Sequence, residues 1–351
     1  MRTHQLPIKT GLLCAFLLCS TASYADAFFA DAQIQQYGTY NNANVFQDEI
    51  SGSANISIDQ SGVANQTEVS QVNLGSPTIT GLQVNVEVSG RDNLLNIQQG
   101  ASFQSATAYQ LGISNQMLVE QQGERALAHL SQSGDMNLID IRQGESGSVT
   151  IVQEQGSGNS TTVDQSGLLS VLDLKQVGSN NQANVVQLNE NSTLGLSQHG
   201  NSNIALVQQL GSNDSANIVQ NVNSSVVSLL QTSAFNDATI QQISQGGHDL
   251  SVSLVQSGVA ANATILQTGQ NNSIGATQSG NNSSMQIYQS GQYQDALVNQ
   301  AGGGNIAYVS QSGVASYTKP NTIYINQQGV NMNVSVTQSG GQGGQVIVQQ
   351  H

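Results

Sequence analysis

Residues 170–187 read SVLDLKQVGSNNQANVVQ, two alternating stretches that are separated by a short run of turn residues. In the first stretch every second residue is uncharged: Ser170, Leu172, Leu174 and Gln176. The charged residues Asp173 and Lys175 lie at the positions between them. Side chains alternate between the two faces of a β-strand, so this stretch predicts a strand whose charges point outward. The next residues, Gly-Ser-Asn, are typical of a tight turn, and a second alternating stretch ends at Gln187. The segment therefore predicts a strand–turn–strand unit.

This unit recurs, because a glutamine returns every 11 residues through most of the chain. From Gln99 to Gln242, 13 of 14 stations hold glutamine, and the exception is Glu154. Its neighbours are both glutamines, so either a local slip of the register or a protonated or edge carboxyl explains it. After a three-residue shift the count resumes at Gln245, and five extra residues precede the last stations. Those last stations are Gln327, Gln338 and Gln349.

A fixed short period over this length is typical of a stacked repeat, not of a globular domain with one active site. Two strands take about 22 residues per rung, so the stations from Gln36 onward predict an all-β β-solenoid of about 14 stacked rungs, with amyloid-like cross-β structure. Inward Gln and Asn then lie roughly 4.8 Å above their counterparts and form amide ladders. Pro77 and Pro320 fall where the period breaks, which agrees with the exclusion of proline from strand interiors.

The composition narrows the class of protein further. Only 8% of the 351 residues are charged and 4% are aromatic, against roughly 25% charged residues in an average globular domain. Such a composition would permit a disordered, prion-like chain, but disorder gives no reason to keep a strict register. The formal net charge of −14 and the lack of a basic patch argue against nucleic acid as a partner.

The first 25 residues are predicted to be a secretory signal. Arg2 and Lys9 form a basic start, and residues 11–19 form an apolar core too short to span a membrane as a stable helix. Small residues before Ala25 place the cleavage after that residue. Both cysteines of the chain lie inside this segment, so we expect no disulfide in the mature protein.

The predicted organisation is therefore a signal peptide at 1–25, a short N-terminal segment at 26–35 and a repeat array at 36–351. Loss of the signal removes two basic residues and no acidic ones, so the formal net charge changes from −14 to −16.

No catalytic or metal-binding constellation stands out in the sequence. The histidines beyond the signal lack metal-ligand spacing, and the carboxylates are single and mostly outward. We therefore expect no enzyme activity, no cofactor and no metal site. These histidines are His129, His199, His248 and His351.

The repeat has a consensus of Ser, five residues, Gln-x-Gly-x-x-Asn-x-Ala, three residues, and Gln. Residues 170–187 and 192–209 match it fully, and residues 36–47 match its second half. This pattern resembles the curlin repeat, which builds the subunits of curli, the extracellular amyloid fibres of Gram-negative bacteria. The resemblance covers about residues 36–349.

The resemblance implies a secreted structural subunit that assembles into cell-surface fibres for adhesion and biofilm matrix. Its implied partners are further copies of itself, a curli nucleator or major curlin subunit, and the outer-membrane curli secretion channel with its accessory proteins. No nucleic acid and no membrane insertion are expected. The family's inward Gln and Asn drive assembly, and the resemblance carries this role to a set of ladder residues here. These are Gln110, Asn115, Gln132, Asn137, Asn159, Gln165, Gln176, Asn181, Gln187, Gln198, Asn203, Gln209, Gln220, Gln267, Asn272, Gln300 and Asn305.

Three readings of the function stay open at this point. The large number of rungs favours a bulk fibre subunit, whereas the lack of a Gly/Asn-rich leader is more typical of a nucleator. A soluble β-solenoid adhesin or ice-binding protein is the other alternative, although its flat outward array of threonines is not present. The repeat pattern runs almost to the last residue, so we expect an uncapped ladder edge that could accept another chain.

Overall fold

A computed structural model describes residues 22–25, 29–48, 50, 52–72, 80–341 and 343–351. The chain is an all-β solenoid of parallel strands with about 14 turns and about 22 residues per turn, which confirms the predicted fold. Most of the predicted signal, residues 1–21, and Pro77 lie outside the described residues. The chain divides into two units, residues 1–169 and 170–351, and each contains strands of two parallel sheets.

In unit 1 the odd-numbered strands belong to sheet A and the even-numbered strands to sheet B. Sheet A contains β1 (Ala22–Ala25), β3 (Asn42–Asp48), β5 (Gln66–Val72), β7 (Leu94–Gln99), β9 (Gln116–Gln121), β11 (Leu138–Gln143) and β13 (Ser160–Gln165). Sheet B contains β2 (Phe29–Thr39), β4 (Ser53–Val63), β6 (Leu82–Arg91), β8 (Ser105–Ile113), β10 (Leu127–Asp135) and β12 (Gly147–Ser157).

Unit 2 repeats this arrangement with eight strands in each sheet. Sheet A contains β15 (Gln182–Gln187), β17 (Ile204–Gln209), β19 (Val226–Gln231), β21 (Ser251–Gln256), β23 (Ser273–Gln278), β25 (Gln294–Ala301), β27 (Asn321–Gln328) and β29 (Gln345–Gln350). Sheet B contains β14 (Ser170–Val177), β16 (Thr193–His199), β18 (Ser215–Asn223), β20 (Asp237–His248), β22 (Asn262–Thr268), β24 (Ser284–Gln292), β26 (Ile306–Val314) and β28 (Asn333–Ser339).

The core of each unit lies between its two sheets and is built by strict alternation along the strands. In β14, Leu172 and Leu174 are buried while Val171, which precedes them, is 42% exposed and Asp173 between them is also exposed. Every second side chain points inward because the strand has a period of two, and the turn residues return the chain without changing that phase. The inward apolar residues are mainly Ala, Val, Ile and Leu, which fit a narrow space between parallel sheets.

The register follows the 22-residue period, so that like residues stack. Gln198 lies level with Gln176 on one side and with Gln220 on the other. The same pairing aligns the inward apolar residues, for example Leu194 with Leu172. Each turn is therefore held by its backbone hydrogen bonds to the turns before and after it.

The strand register shows which residue occupies each of the three irregular glutamine stations. Gln153 pairs with Gln132 and is buried, which identifies Glu154 as the result of a local slip, and the register recovers before Gly156. Gln242, not Gln245, is level with Gln267, so the three extra residues form an irregularity in β20.

At the last station the prediction of Gln349 is wrong by one residue. Gln350 is the residue level with Gln327, and Gln349 is exposed. The five extra residues near Pro320 lie in the loop between β26 and β27, outside both strands as expected. At the other end, pairing reaches into the segment predicted as 26–35, because β2 begins at Phe29.

Glycine is required at the turn that follows β16. Gly200 has a φ of +109°, and a Cβ there would lie 2.3 Å from the carbonyl oxygen of Val222 in the next turn. The backbones of the two neighbouring rungs therefore approach too closely at this position for any side chain.

Candidate functional site

Two columns of glutamine, one on each sheet, form the most regular chemical feature of the molecule. In sheet A of unit 2, the Nε2 of Gln187 donates to the Oε1 of Gln209 over 2.8 Å, and Gln209 donates to Gln231 over 3.0 Å. In sheet B, Gln198 donates in the same way to Gln220 over 2.8 Å. The donor always belongs to the earlier turn, so these ladders have one direction.

The second amide hydrogen of the glutamines is also used. The Nε2 of Gln198 donates to the backbone carbonyl of Gln182 over 3.0 Å, and Gln220 does so to Ile204 over 3.1 Å. The Nε2 of each such glutamine therefore donates one hydrogen bond to the glutamine of the next turn and a second to a backbone carbonyl oxygen of the facing sheet. A buried amide satisfied in this way avoids the cost of an unpaired polar group.

Asparagine forms a second kind of ladder at the turn that leads from sheet B into sheet A. The Oδ1 of Asn115 accepts from the backbone N–H of Asn137 over 3.0 Å. Its Nδ2 donates to the carbonyl oxygens of Leu111, over 3.2 Å, and Gly134, over 2.7 Å. One side chain thus fixes the turn of its own rung and two groups of the next rung.

The residues predicted for the ladders are all at most 2% exposed. All of them lie in these inward columns except Asn305, which lies at a turn from sheet A into sheet B. Their part in assembly between chains stays a prediction. The buried residues are Gln110, Asn115, Gln132, Asn137, Asn159, Gln165, Gln176, Asn181, Gln187, Gln198, Asn203, Gln209, Gln220, Gln267, Asn272, Gln300 and Asn305.

The glutamine ladder of sheet B has a fault that the sequence count did not reveal. Val88 occupies the station between Gln60 and Gln110 and is buried. The Oε1 of Gln110 is consequently buried without a hydrogen-bond partner among the described residues. Gln60 instead donates to the hydroxyl of Thr67 over 3.3 Å.

The asparagine ladder also has a member that sequence reasoning missed. Gln294 occupies the position one turn after Asn272. Its backbone N–H donates to the Oδ1 of Asn272 over 3.0 Å, and its Nε2 donates to the carbonyl oxygen of Gly313 over 2.8 Å. The spacing of 22 residues from Asn272 to Gln294 was the signal that could have identified it.

A carboxylate, Asp214, lies at the turn that leads from sheet A into sheet B, in a column with Ser192 and Asn236, and its side chain is 1% exposed. Its two oxygens accept from the backbone N–H of Asn236 over 3.0 Å and of Gly211 over 3.1 Å. Desolvation by burial raises the pKa of Asp214 to about 6, although these hydrogen bonds act in the opposite direction. This carboxyl therefore changes its charge at a mildly acidic pH.

The surface offers little chemistry beyond isolated charge pairs. Arg142 lies 3.7 Å from Glu120, and His248 lies 2.6 Å from Asp249; Glu120 is partly exposed and the other three side chains are exposed. Within the described ranges there is no group of three or more His, Cys, Asp or Glu side chains that could hold a metal ion. The same residues contain no helix with the length and apolar character needed to cross a membrane.

The geometry defines a class of protein, a parallel β-solenoid whose turns are joined by internal amide ladders. A family comparison agrees with it: residues 247–280 and 280–313 match the curlin associated repeat. Residues 247–313 therefore carry two curlin-associated repeats, and the family of that repeat is one of structural amyloid subunits. A comparison with curated proteins finds no match.

Proposed function

We propose that this protein is a secreted structural subunit that self-assembles into extracellular curli-like amyloid fibres for adhesion and biofilm matrix. In this proposal the chains add end to end, and the inward Gln and Asn ladders continue from one copy into the next. Further copies of the chain, a curli nucleator or major curlin subunit, and the outer-membrane secretion channel with its accessory proteins are the proposed partners. The proposed location is the surface of a Gram-negative cell.

The direction of the glutamine ladders is the observation that carries the proposal. In the first turns, Gln36 donates to Gln60 over 2.8 Å and Gln47 donates to Gln71 over 2.7 Å. The Oε1 of Gln47 is buried and has no partner among the described residues. The neighbouring strand β1, which belongs to the predicted signal, places Tyr24 level with Gln47. Removal of the signal would therefore leave this acceptor open to an incoming amide donor.

The opposite end of the stack supports the same idea. Val346, Val348 and Gln350 of β29 are partly exposed, whereas their counterparts one turn earlier, such as Ile325, are buried. Among the described strands β29 pairs only with β27, so one of its edges has no strand beside it. An unpaired edge next to uncovered apolar side chains favours the addition of another parallel strand.

The test follows the purified chain after dilution from denaturant, with thioflavin fluorescence and electron microscopy. A fibre subunit is expected to form fibres after a lag, and fragments of those fibres are expected to shorten the lag. A stable β-rich monomer that never forms fibres would contradict a bulk subunit. Addition of a bulk curlin subunit to that monomer then separates a nucleator, which would start fibres, from a soluble solenoid, which would not.

A further inference from the structure

The outer face of sheet A in unit 2 is almost free of charge. Its eight strands, β15 to β29, are described in full and contain one charged residue, Asp295. The corresponding strands of unit 1 contain Glu68, Glu120, Asp140, Arg142 and Asp164 among others. We name the outward side chains of these eight sheet A strands, the odd-numbered strands from β15 to β29, the neutral face.

Apolar side chains are spread over the neutral face. Leu206 is 45% exposed, Leu297 is 44% exposed and Ile347 is 58% exposed. Val186, Ile204, Val226, Leu230 and Val255 also point outward and are partly exposed. Uncharged polar side chains such as Asn184, Ser228 and Thr277 lie between them, so the face is a mixed and almost uncharged surface of the kind that two sheets can bury against each other.

The charge of the molecule indicates what can cover this face. The chain has a formal net charge of −14, so two copies repel each other wherever their carboxylates meet. The strands of the neutral face add only one formal negative charge to that repulsion, from Asp295. Burial raises the pKa of Asp295, so its one carboxyl is also easier to neutralise than an exposed aspartate.

The size of the face fits a specific interface. Eight strands at a spacing of about 4.8 Å, each with about six residues of roughly 3.3 Å, cover about 38 by 20 Å, or about 750 Å². A stable interface between two proteins buries roughly 800 Å² on each partner. Two flat sheets can pack face to face about 10 Å apart and interdigitate their side chains.

We propose that two copies of this chain associate side by side through the neutral face, sheet A of one against sheet A of the other. This contact is separate from the proposed end-to-end growth, because it uses outward side chains and not the ladder ends. In fibres it joins neighbouring fibres laterally, and before assembly it produces a dimer.

The experiment places carboxylates on either outer face of unit 2. The test variant is Leu206→Asp with Ser228→Asp on sheet A, and the control is Asn217→Asp with Ser197→Asp on sheet B. The exposed Leu206 is matched by the exposed Asn217, and the partly exposed Ser228 by Ser197. Sedimentation velocity of the freshly diluted protein measures dimerisation, electron microscopy measures lateral pairing of fibres, and circular dichroism checks the β content.

The wild-type protein and the sheet B variant are expected to dimerise and to form paired fibres. The sheet A variant is expected to dimerise at least tenfold more weakly and to form single fibres, because carboxylates would be buried against each other. Its rate of fibre elongation should stay within about twofold of the sheet B variant, since both add the same charge.

Pairing by the sheet A variant that equals the wild type would overturn the proposal. An equal loss in both variants, or a wild-type protein that is monomeric at every concentration and forms only single fibres, would do the same. Dimers from a chain that never forms fibres would support this inference and contradict the proposed function, so the two failures are distinguishable.

Discussion

At the scale of the residue, a glutamine of a ladder has both its Oε1 and its Nε2 bonded along the stack when the residues above and below it are also glutamines. Gln132 shows the regular case, since it accepts from Gln110 over 3.1 Å and donates to Gln153 over 2.9 Å. Val88 interrupts a glutamine ladder, and Asp214 places a buried carboxylate in another column; each has a measurable consequence.

Replacement of Val88 by glutamine is expected to stabilise the fold. The new side chain would accept from Gln60 and donate to the Oε1 of Gln110, which is now buried without a partner in the described chain. An unsatisfied buried acceptor costs about 1–3 kcal/mol, so we expect a gain of about 1–2 kcal/mol in the free energy of unfolding. Denaturant unfolding of the freshly diluted monomer measures it.

A matched control separates hydrogen bonding from side-chain size. Val88→Met adds similar length without an amide, so it should not raise stability. A Val88→Gln variant that is no more stable than Val88→Met would show that the ladder fault is not what limits this region.

The buried carboxyl of Asp214 is expected to make stability depend on pH. Its pKa is raised from 3.8 to about 6 in the folded chain, so the folded state binds a proton more tightly than the unfolded state. Stability from this group is therefore largest below about pH 4 and falls as the pH rises through about 6. The size of the loss is on the order of 3 kcal/mol at most, because one pKa unit corresponds to about 1.4 kcal/mol.

The Asp214→Asn variant isolates this contribution from that of the other carboxyls. Asparagine has no charge and occurs at the equivalent position of the next turn, Asn236. Asparagine has only one acceptor oxygen and loses the bond from the N–H of Gly211, so the test is the difference in stability between the two proteins. That difference should shift in favour of the variant as the pH rises from about 4 to about 7. A constant difference between the two proteins across this range would contradict the assignment. The readout is the denaturant midpoint of both proteins at each pH.

At the scale of the element, inward and outward positions of one strand have different roles. Replacement of Gln176, Gln198 and Gln220 together by alanine is expected to slow fibre formation, because each substitution removes amide bonds along the sheet B ladder. The measurement is the thioflavin lag and the elongation rate.

The matched control changes three outward residues of the same strands, Lys175, Ser197 and Val219, to alanine. These side chains are partly exposed and lie outside the ladder, so their loss should have a smaller effect. Equal slowing in the two triple variants would show that the ladders do not carry assembly.

The strands themselves could be predicted closely from the sequence. The period of two and the period of 11 gave the inward set and the two sheets, because one face of every strand is buried and fixes the register. The slip at Glu154 could not be settled from the period alone, since Gln153 and Gln155 are chemically identical neighbours. The same ambiguity explains the wrong choice of Gln349 over Gln350.

The faults within the ladders were harder to predict. Val88 is apolar and fits the core, so the pattern of buried residues gives no warning that an amide is missing there. Gln294 was missed because glutamine has one more methylene than the asparagine expected at its position. Its role depends on whether the longer side chain still reaches the carbonyl of Gly313, which only the geometry reveals.

At the scale of the whole molecule, net charge opposes the association of copies. Lowering the pH towards about 4, near the isoelectric point of about 4.3, should shorten the assembly lag because it neutralises the carboxylates. Added salt at pH 7 is a control, since screening should shorten the lag in the same direction. An unchanged or longer lag at low pH would show that charge does not restrain assembly.

The stacking of like residues at a spacing of 22 also bears on how the gene can change. Gln187 and Gln209 hold the same station one turn apart and form the same bond to the next turn. Loss of the codons for residues 188–209 would bring Gln231 against Gln187 with an equivalent amide contact, and duplication of those codons would insert one more such contact. Recombination between repeats can therefore lengthen or shorten the protein by whole turns, while the strand register and the amide contacts of the remaining turns stay the same.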